Sequence, residues 1–129
     1  MNRTRRFHGP DRSSISLPWI HILLTLADGE RHGYAIMREV EERTEGEVTL
    51  WPATLYGAIK RMTTAGLVEA APGDVAGSAV SAADTGSRRR RSYRITDLGR
   101  RVLGEETARL SQIVDLAREK KVFPSSGGA

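Results

Sequence analysis

Two clusters of arginine are the residues of this sequence whose type and spacing point most directly to a chemical role. They comprise Arg88, Arg89, Arg90, Arg91 and Arg94 in one cluster, and Arg3, Arg5, Arg6 and Arg12 near the N-terminus in the other. The planar guanidinium offers a fork of N–H donors that matches phosphate oxygens and the edge of guanine. One such run is commonly a solvated segment, but two runs in a small chain favour a nucleic acid as the partner.

The composition fits this interpretation and excludes several kinds of chemistry. Lys and Arg total 20 against 16 Asp and Glu, which gives a net charge of +4 over 129 residues. The absence of cysteine excludes a disulfide framework, a thiolate zinc site and a Cys nucleophile. His8, His21 and His32 lack the spacing of a metal site, and the sequence has no phosphate-binding P-loop and no nucleophile elbow. We therefore expect no enzymatic activity, no cofactor and no metal.

The length of the chain suits one domain, and its hydrophobic content can supply one core. No apolar run approaches the roughly 20 residues that span a bilayer. The basic N-terminal segment is not followed by an apolar stretch, so it does not have the pattern of a signal peptide. We expect a cytoplasmic protein that does not bind membranes.

Three helices are predicted in the first half of the chain. Ser16 can cap the first, which is apolar on almost all sides, ends at 28–29 and should be buried. The second begins near Gly33 and ends at 45–46. The third begins at Pro52, ends near Ala65, and places Leu55, Ile59 and Met62 on one core-facing side.

Short β-strands are predicted around the third helix. Residues 48–50 have the composition of one strand, and residues 67–70 and 92–96 read as the two arms of a β-hairpin. Residues 72–87 form the long loop between the arms, and the returning arm is preceded by the run Arg88–Arg91. The hairpin therefore presents a cluster of positive charge.

A last helix is predicted from Thr96-Asp97 to about Lys121. An apolar stripe follows its length, made of Leu103, Leu110, Ile113, Val114 and Ala117, with Glu106 and Thr107 interrupting it. So small a domain cannot cover a stripe on so long a helix, and a second copy of the chain is the simplest cover. We therefore expect a homodimer.

The order helix, helix, strand, helix, hairpin, long helix predicts a mainly α fold with a small β-hairpin, which is a winged helix-turn-helix followed by a C-terminal dimerisation helix. We divide the chain into a flexible basic arm (1–14), a winged-helix domain (15–96), the dimerisation helix (97–121) and a tail (122–129).

The sequence resembles the PadR-like family of transcriptional regulators. The matching residues are Leu26-Ala27-Asp28-Gly29, His32-Gly33-Tyr34, Thr54-Leu55-Tyr56, Lys60-Arg61-Met62, Gly66-Leu67-Val68, Arg91-Ser92-Tyr93-Arg94-Ile95-Thr96 and Gly99. The resemblance implies a homodimeric repressor that binds a pseudo-palindromic operator in double-stranded DNA and is released by a small molecule or a stress signal. The loop 72–87 is longer than the usual wing of the family.

Candidate DNA contacts follow from these elements. They are Tyr34, Thr54, Tyr56, Lys60 and Arg61 on the helices and Arg88, Arg89, Arg90 and Arg91 on the wing. Tyr56 could instead pack against the second helix, Tyr34 could instead lie in the core, and Thr54 could instead cap the third helix. For Tyr56 we favour a hydrogen bond from the hydroxyl to a phosphate.

Two tryptophans are the candidates for an effector site. Some family members bind flat aromatic compounds at the dimer interface, and the last helix offers no tryptophan for this, so Trp19 and Trp51 are the candidate pocket residues. Two other functions stay open: a winged-helix module that docks a protein, and a non-specific nucleic-acid binder.

Overall fold

The structure is a computed structural model that describes residues 15–71 and 91–124. Its elements in chain order are α1 (Leu17–Ala27), β1 (Arg31–His32), α2 (Gly33–Arg43), α3 (Pro52–Thr64), β2 (Val68–Ala70), β3 (Ser92–Ile95) and α4 (Asp97–Glu119). The N-terminal arm, the loop 72–87, Arg88, Arg89, Arg90 and the last five residues lie outside the described part of the chain.

The helix boundaries follow from capping residues and prolines, and those predicted from the sequence are confirmed within three residues. Ser16 caps α1, since its side chain accepts a hydrogen bond from the Trp19 amide at 3.4 Å. Thr96 caps α4 in the same way, accepting from the Gly99 amide at 2.9 Å. Pro52 opens α3 at its first position, where no backbone N–H is needed.

The sheet has three antiparallel strands in the order β1-β3-β2. The hairpin predicted from the sequence is present as β2 and β3, but the strand predicted at 48–50 is wrong. That segment runs without a strand partner, and Leu50 inserts into the core instead. The third strand is β1, whose two residues pair with Tyr93 and Ser92 on the far side of β3.

The hairpin has an inner and an outer face. Ile95 and Tyr93 on β3 are buried, whereas Arg94 between them is half-exposed. Arg94 stands opposite Glu69 in the register of the two strands, and its Nε lies 2.6 Å from Glu69 Oε2. Alternation of side chains along the strand therefore places the arginine on the opposite face from the core.

The core lies between α1, α2, α3 and the sheet. Its fully buried large side chains include Ile22, Leu23, Leu26, Ile36, Val40, Leu55, Met62 and Val68. The expectation that α1 is buried on all sides is wrong, because Leu17 is 55% exposed and Leu24 is 38% exposed. These two residues are seven positions apart and lie on one face of α1.

Two glycines allow elements to approach more closely than any side chain would permit. A Cβ at Gly33 in α2 would collide with the ring of Tyr56 in α3, whose Cζ would lie 2.8 Å away. A Cβ at Gly99 in α4 would collide with the carbonyl of Leu67 and lie 2.8 Å from Ile95 Cγ1. The second contact fixes the start of α4 against both arms of the hairpin.

Helix α4 has 23 residues and is about 35 Å long. Only its first third joins the core, through Gly99, Val102 and Leu103. From residue 107 to its end every side chain is exposed or half-exposed. The molecule is therefore mainly helical, with a small antiparallel sheet, a winged-helix head and a projecting C-terminal helix, as predicted from the sequence.

Candidate nucleic-acid interface

The outward face of α3 carries the predicted contact residues. Leu55, Ala58, Ile59 and Met62 are buried on the inner side. Thr54, Lys60 and Arg61 are exposed. The other residues of this outer face are Ala53, Gly57 and Thr64. The side chains at its centre are therefore short or absent, and Lys60 and Arg61 at its flanks carry positive charge.

Tyr56 lies at the edge of this face and points towards α2. Its side chain packs against the core, and its hydroxyl oxygen is buried. The ring rests against Gly33 in the first turn of α2. This position favours the packing role over the hydrogen bond to a phosphate, because a buried hydroxyl cannot reach a ligand outside the protein without moving.

Tyr34 occupies the exposed position beside this contact. The residue is 52% exposed, and the Arg38 guanidinium lies 5.9 Å from the centre of its ring. Arg38 is also held by Glu42 at 3.2 Å, one turn further along α2. The phenol is thus supported on one side by a cation and open to solvent on the other, where it can donate a hydrogen bond to an outside acceptor.

A groove of about 660 Å³ separates α3 from the base of the hairpin. Its walls include Ala53, Gly57 and Lys60 from α3, with Arg91 and Tyr93 from the hairpin. Arg91 is half-buried, and its Nε has no hydrogen-bond partner among the described residues. The two basic side chains on opposite walls make the groove suitable for a polyanion.

The remaining polar side chains of the hairpin are engaged within the protein. Arg94 pairs with Glu69. His32 does not cap α2 with its side chain; its Nδ1 lies 3.0 Å from the Ser92 hydroxyl on β3 instead. Of the predicted wing arginines, only Arg91 lies in the described part of the chain, and the positions of Arg88, Arg89 and Arg90 fall outside it.

The two tryptophans do not line this groove. Trp19 in α1 packs partly against the core. Trp51 immediately precedes α3 and is 68% exposed, and its side chain makes no capping hydrogen bond. A common pocket for the two side chains therefore remains a sequence-based prediction.

An apolar surface lies at the other end of the molecule. Of the predicted dimerisation residues, Leu103 belongs to the core of its own chain, whereas Leu110 is 37% exposed and Ile113 is 58% exposed. Val114 and Ala117 are half-exposed on the same side of α4. Leu116 on α4 and Leu17 and Leu24 on α1 are exposed as well, and they were not predicted from the sequence. The seven-residue spacing of Leu17 and Leu24 could have indicated from the sequence that they share one face of α1.

A polar contact joins the end of α2 to α1. Arg43 Nη2 donates to the His21 carbonyl at 3.1 Å and to the Thr25 hydroxyl at 3.2 Å, and it lies 3.3 Å from His21 Nδ1. Partial burial lowers the pKa of His21 below its usual 6.5, and the nearby charge of Arg43 lowers it further.

Two features are absent from the part of the chain that the structure describes. None of the helices there is both long and apolar enough to cross a bilayer. No group of three or more His, Asp or Glu side chains in 15–71 and 91–124 is arranged to hold a metal ion.

Comparison with known proteins gives matches of sequence and of fold. The profile of the transcriptional regulator PadR-like family matches residues 22–105. An uncharacterised protein of Lysinibacillus sphaericus is 36% identical over 101 residues, which is 76% of this chain and 84% of that protein.

Solved structures of other proteins share this fold. A transcriptional regulator from Clostridium thermocellum has a TM-score of 0.60 at 21% identity, covering 80% of this chain and 90% of that one. ZitR of Lactococcus lactis, solved in complex with DNA, has a TM-score of 0.54 at 15% identity, covering 85% of this chain and 62% of that one. At these identities the likeness establishes the fold alone.

Proposed function

Because the chain belongs to the PadR-like family of transcriptional regulators, we propose that it is a sequence-specific DNA-binding protein of the cytoplasm that acts as a homodimeric repressor. The observation that carries this proposal is the outer face of α3, where Lys60, Arg61 and Thr54 are exposed beside the groove that holds Arg91. The partner is double-stranded DNA with a pseudo-palindromic operator.

Helix α3 enters the major groove in this arrangement. In helix-turn-helix proteins the second helix of the motif reads base edges with its N-terminal residues, and the preceding helix crosses the backbone. Thr54 and Arg61 then face the bases, while Tyr34 at the start of α2 donates to a phosphate. Lys60 and the wing residues Arg88, Arg89, Arg90 and Arg91 neutralise the sugar–phosphate backbone.

The second copy of the chain covers the apolar surface of α4 and α1. Leu110, Ile113, Val114 and Ala117 form its centre, and Leu17 and Leu24 extend it. Burying exposed apolar side chains is favourable by about 25 cal/mol per Å². A dimer places two α3 helices at a fixed separation, which is what an operator with two half-sites requires.

Release from DNA by a signal is part of the proposal. A small aromatic ligand that binds near Trp19 in α1 would change the separation of the two α3 helices in the dimer. Because half-sites are a fixed distance apart, a dimer with a changed separation binds the operator less tightly.

Gel-shift assays test the proposal. The purified protein should shift a duplex from upstream of its own coding sequence in the presence of excess random duplex. The logarithm of the binding constant should fall linearly with the logarithm of salt, with a slope of roughly −0.9 for each phosphate neutralised. Replacing both Lys60 and Arg61 with Ala should weaken binding and reduce that slope by about 1 to 2.

A matched control removes the same charge elsewhere. Lys120 and Lys121 lie at the far end of α4 and are exposed, so the double Ala variant there should keep both affinity and slope. Equal losses in the two double variants would mean that α3 does not contact DNA. No shift of any duplex by the wild-type protein would leave the protein-docking module as the better interpretation.

A further inference from the structure

Gly57 lies at the centre of the outer face of α3. Counting 100° per residue around a helix, it falls between Ala53 and Thr64 on one side and Thr54 and Arg61 on the other. It is the sixth residue of a helix of 13 residues, well inside both ends. The middle of the proposed reading surface therefore has no side chain.

Glycine is a poor choice for this position on local grounds. Among ordinary residues only proline is worse in a helix interior, since glycine loses the most backbone freedom when a helix forms. A helix-forming residue such as alanine would stabilise α3. A glycine in such a place lets another group approach the helix backbone closely.

The described fold contains nothing that makes this approach. Gly57 has ordinary helical backbone angles, so it is not needed for a positive φ. A Cβ placed there would meet as its nearest neighbour only the Nη1 atom of Arg61, at 3.7 Å, which is an ordinary contact with the mobile end of a long side chain. Gly33 is the opposite case, because its missing Cβ is replaced by the ring of Tyr56.

The surroundings of Gly57 indicate what the close neighbour is. The residue lines the groove between α3 and the hairpin, whose opposite walls carry the cations of Lys60 and Arg91. The buried Nε of Arg91 has no partner among residues 15–71 and 91–124. The positive charge on both walls and the Arg91 Nε that lacks a partner in the described part of the chain favour a polyanion as the ligand of this groove. Double-stranded DNA is the polyanion that we assign to it.

We propose that Gly57 sets the depth to which α3 enters the major groove, because the absence of a Cβ lets the helix backbone contact the edges of the base pairs. The proposal rests on the proposed function. A side chain at position 57 holds α3 away from the bases and lengthens the contacts that Thr54 and Arg61 make, so it lowers the affinity for the operator more than the affinity for random DNA.

Two glycine-to-alanine variants test this proposal. Gly104 in α4 is exposed, with nothing within 4 Å of a Cβ built there, so Gly104→Ala is a matched control for helix stability. Both Gly57→Ala and Gly104→Ala should raise the thermal unfolding midpoint by about 4 °C. The probe for binding is the duplex that the wild-type protein enriches from a randomised library, compared with an unselected duplex.

Gly57→Ala should bind the selected duplex about tenfold more weakly than the wild type, and Gly57→Leu should bind it more weakly still. Neither change alters charge, so the salt slope should stay the same, and Gly104→Ala should bind like the wild type. A protein that becomes more stable and yet loses specific binding cannot be explained by a folding defect.

Three results would overturn the proposal. Wild-type affinity in Gly57→Ala would show that no DNA atom lies close to the backbone there. A lower unfolding midpoint in that variant would show that Gly57 serves the fold. Failure of the wild-type protein to enrich any duplex would remove the proposed function, and the role of Gly57 in DNA binding with it.

Discussion

The contact between Gly33 and Tyr56 shows how single residues connect the two helices of the DNA-binding motif. The two positions are 23 residues apart in the sequence, and the ring of Tyr56 occupies the volume that a side chain at 33 would need. Each residue therefore limits what the other can be. Tyr34 follows Gly33 directly and stays 52% exposed, so the same contact that anchors the start of α2 also positions an exposed phenol beside Arg38.

Coupling between these two residues is directly testable. Gly33→Ala should destabilise the protein by about 1 to 3 kcal/mol, because the added methyl group overpacks a filled site. In a Tyr56→Ala background the same change should cost much less, since the ring is absent. Chemical denaturation of the wild type, both single variants and the double variant measures the difference. Additive free energies of unfolding would show that the two side chains do not compete for one space.

The sequence identified these residues without showing their relation. His32-Gly33-Tyr34 and Thr54-Leu55-Tyr56 are recognisable as family motifs, and the helical period of α3 predicts correctly that Leu55 faces inward. Periodicity describes the faces of one helix only. It does not report that Tyr56 turns towards the start of α2, because that contact depends on how two helices cross.

At the scale of elements, local sequence patterns predicted correctly those elements whose formation depends on residues close together in the sequence. Capping residues and prolines predicted the helices because those signals act within a few residues. The β-prone residues 48–50 failed as a strand because they have no partner strand, and the polar pair Arg31–His32 became β1 because the free edge of β3 lies beside it. Pairing in a sheet depends on neighbours that are remote in sequence.

The contact between α1 and α2 predicts a dependence of stability on pH. Since the pKa of His21 in the folded protein is below 6.5, the unfolded state takes up a proton at higher pH than the folded state does. The contribution of His21 to the free energy of unfolding is fully present above pH 6.5, and it is lost as the pH falls towards the lower pKa of the folded state. Acid therefore weakens the attachment of α2 to α1.

A His21→Gln variant isolates this effect. The free energy of unfolding of the wild type should fall more steeply than that of the variant as the pH is lowered below 6.5, because glutamine does not titrate. Urea titrations at a series of pH values measure the two curves. Parallel curves over the whole series would mean that the protonation of His21 is not linked to folding.

At the scale of the whole molecule, α4 serves two purposes along its length. Its first third completes the core of the head, and the remainder carries apolar side chains that its own chain does not cover. Leu103 falls among the predicted dimerisation residues because one apolar stripe runs through both parts of the helix. A stripe shows which residues face the same way, but it does not show whether the same chain or another one covers them.

The dimer proposed for this chain can be broken without unfolding the head. Ile113→Asp places a charge at the centre of the exposed apolar stripe and should convert the dimer into a monomer that keeps the helical content of the head. Ala108→Asp puts the same charge on the opposite, exposed side of α4 and serves as the control. Sedimentation measures the mass, and the monomer should bind DNA more weakly because it engages a single half-site. A dimeric Ile113→Asp protein would exclude this surface as the interface.

The division of α4 at residue 107 has a consequence for how such proteins diversify. Substitutions beyond that point leave the interior of the head untouched, so in the proposed dimer a duplicated gene could change which subunit it pairs with and still fold. A cell that makes several related regulators needs its subunits to avoid mixing. The projecting end of this helix is the segment in which substitutions can prevent pairing between related subunits with the smallest loss of folding stability.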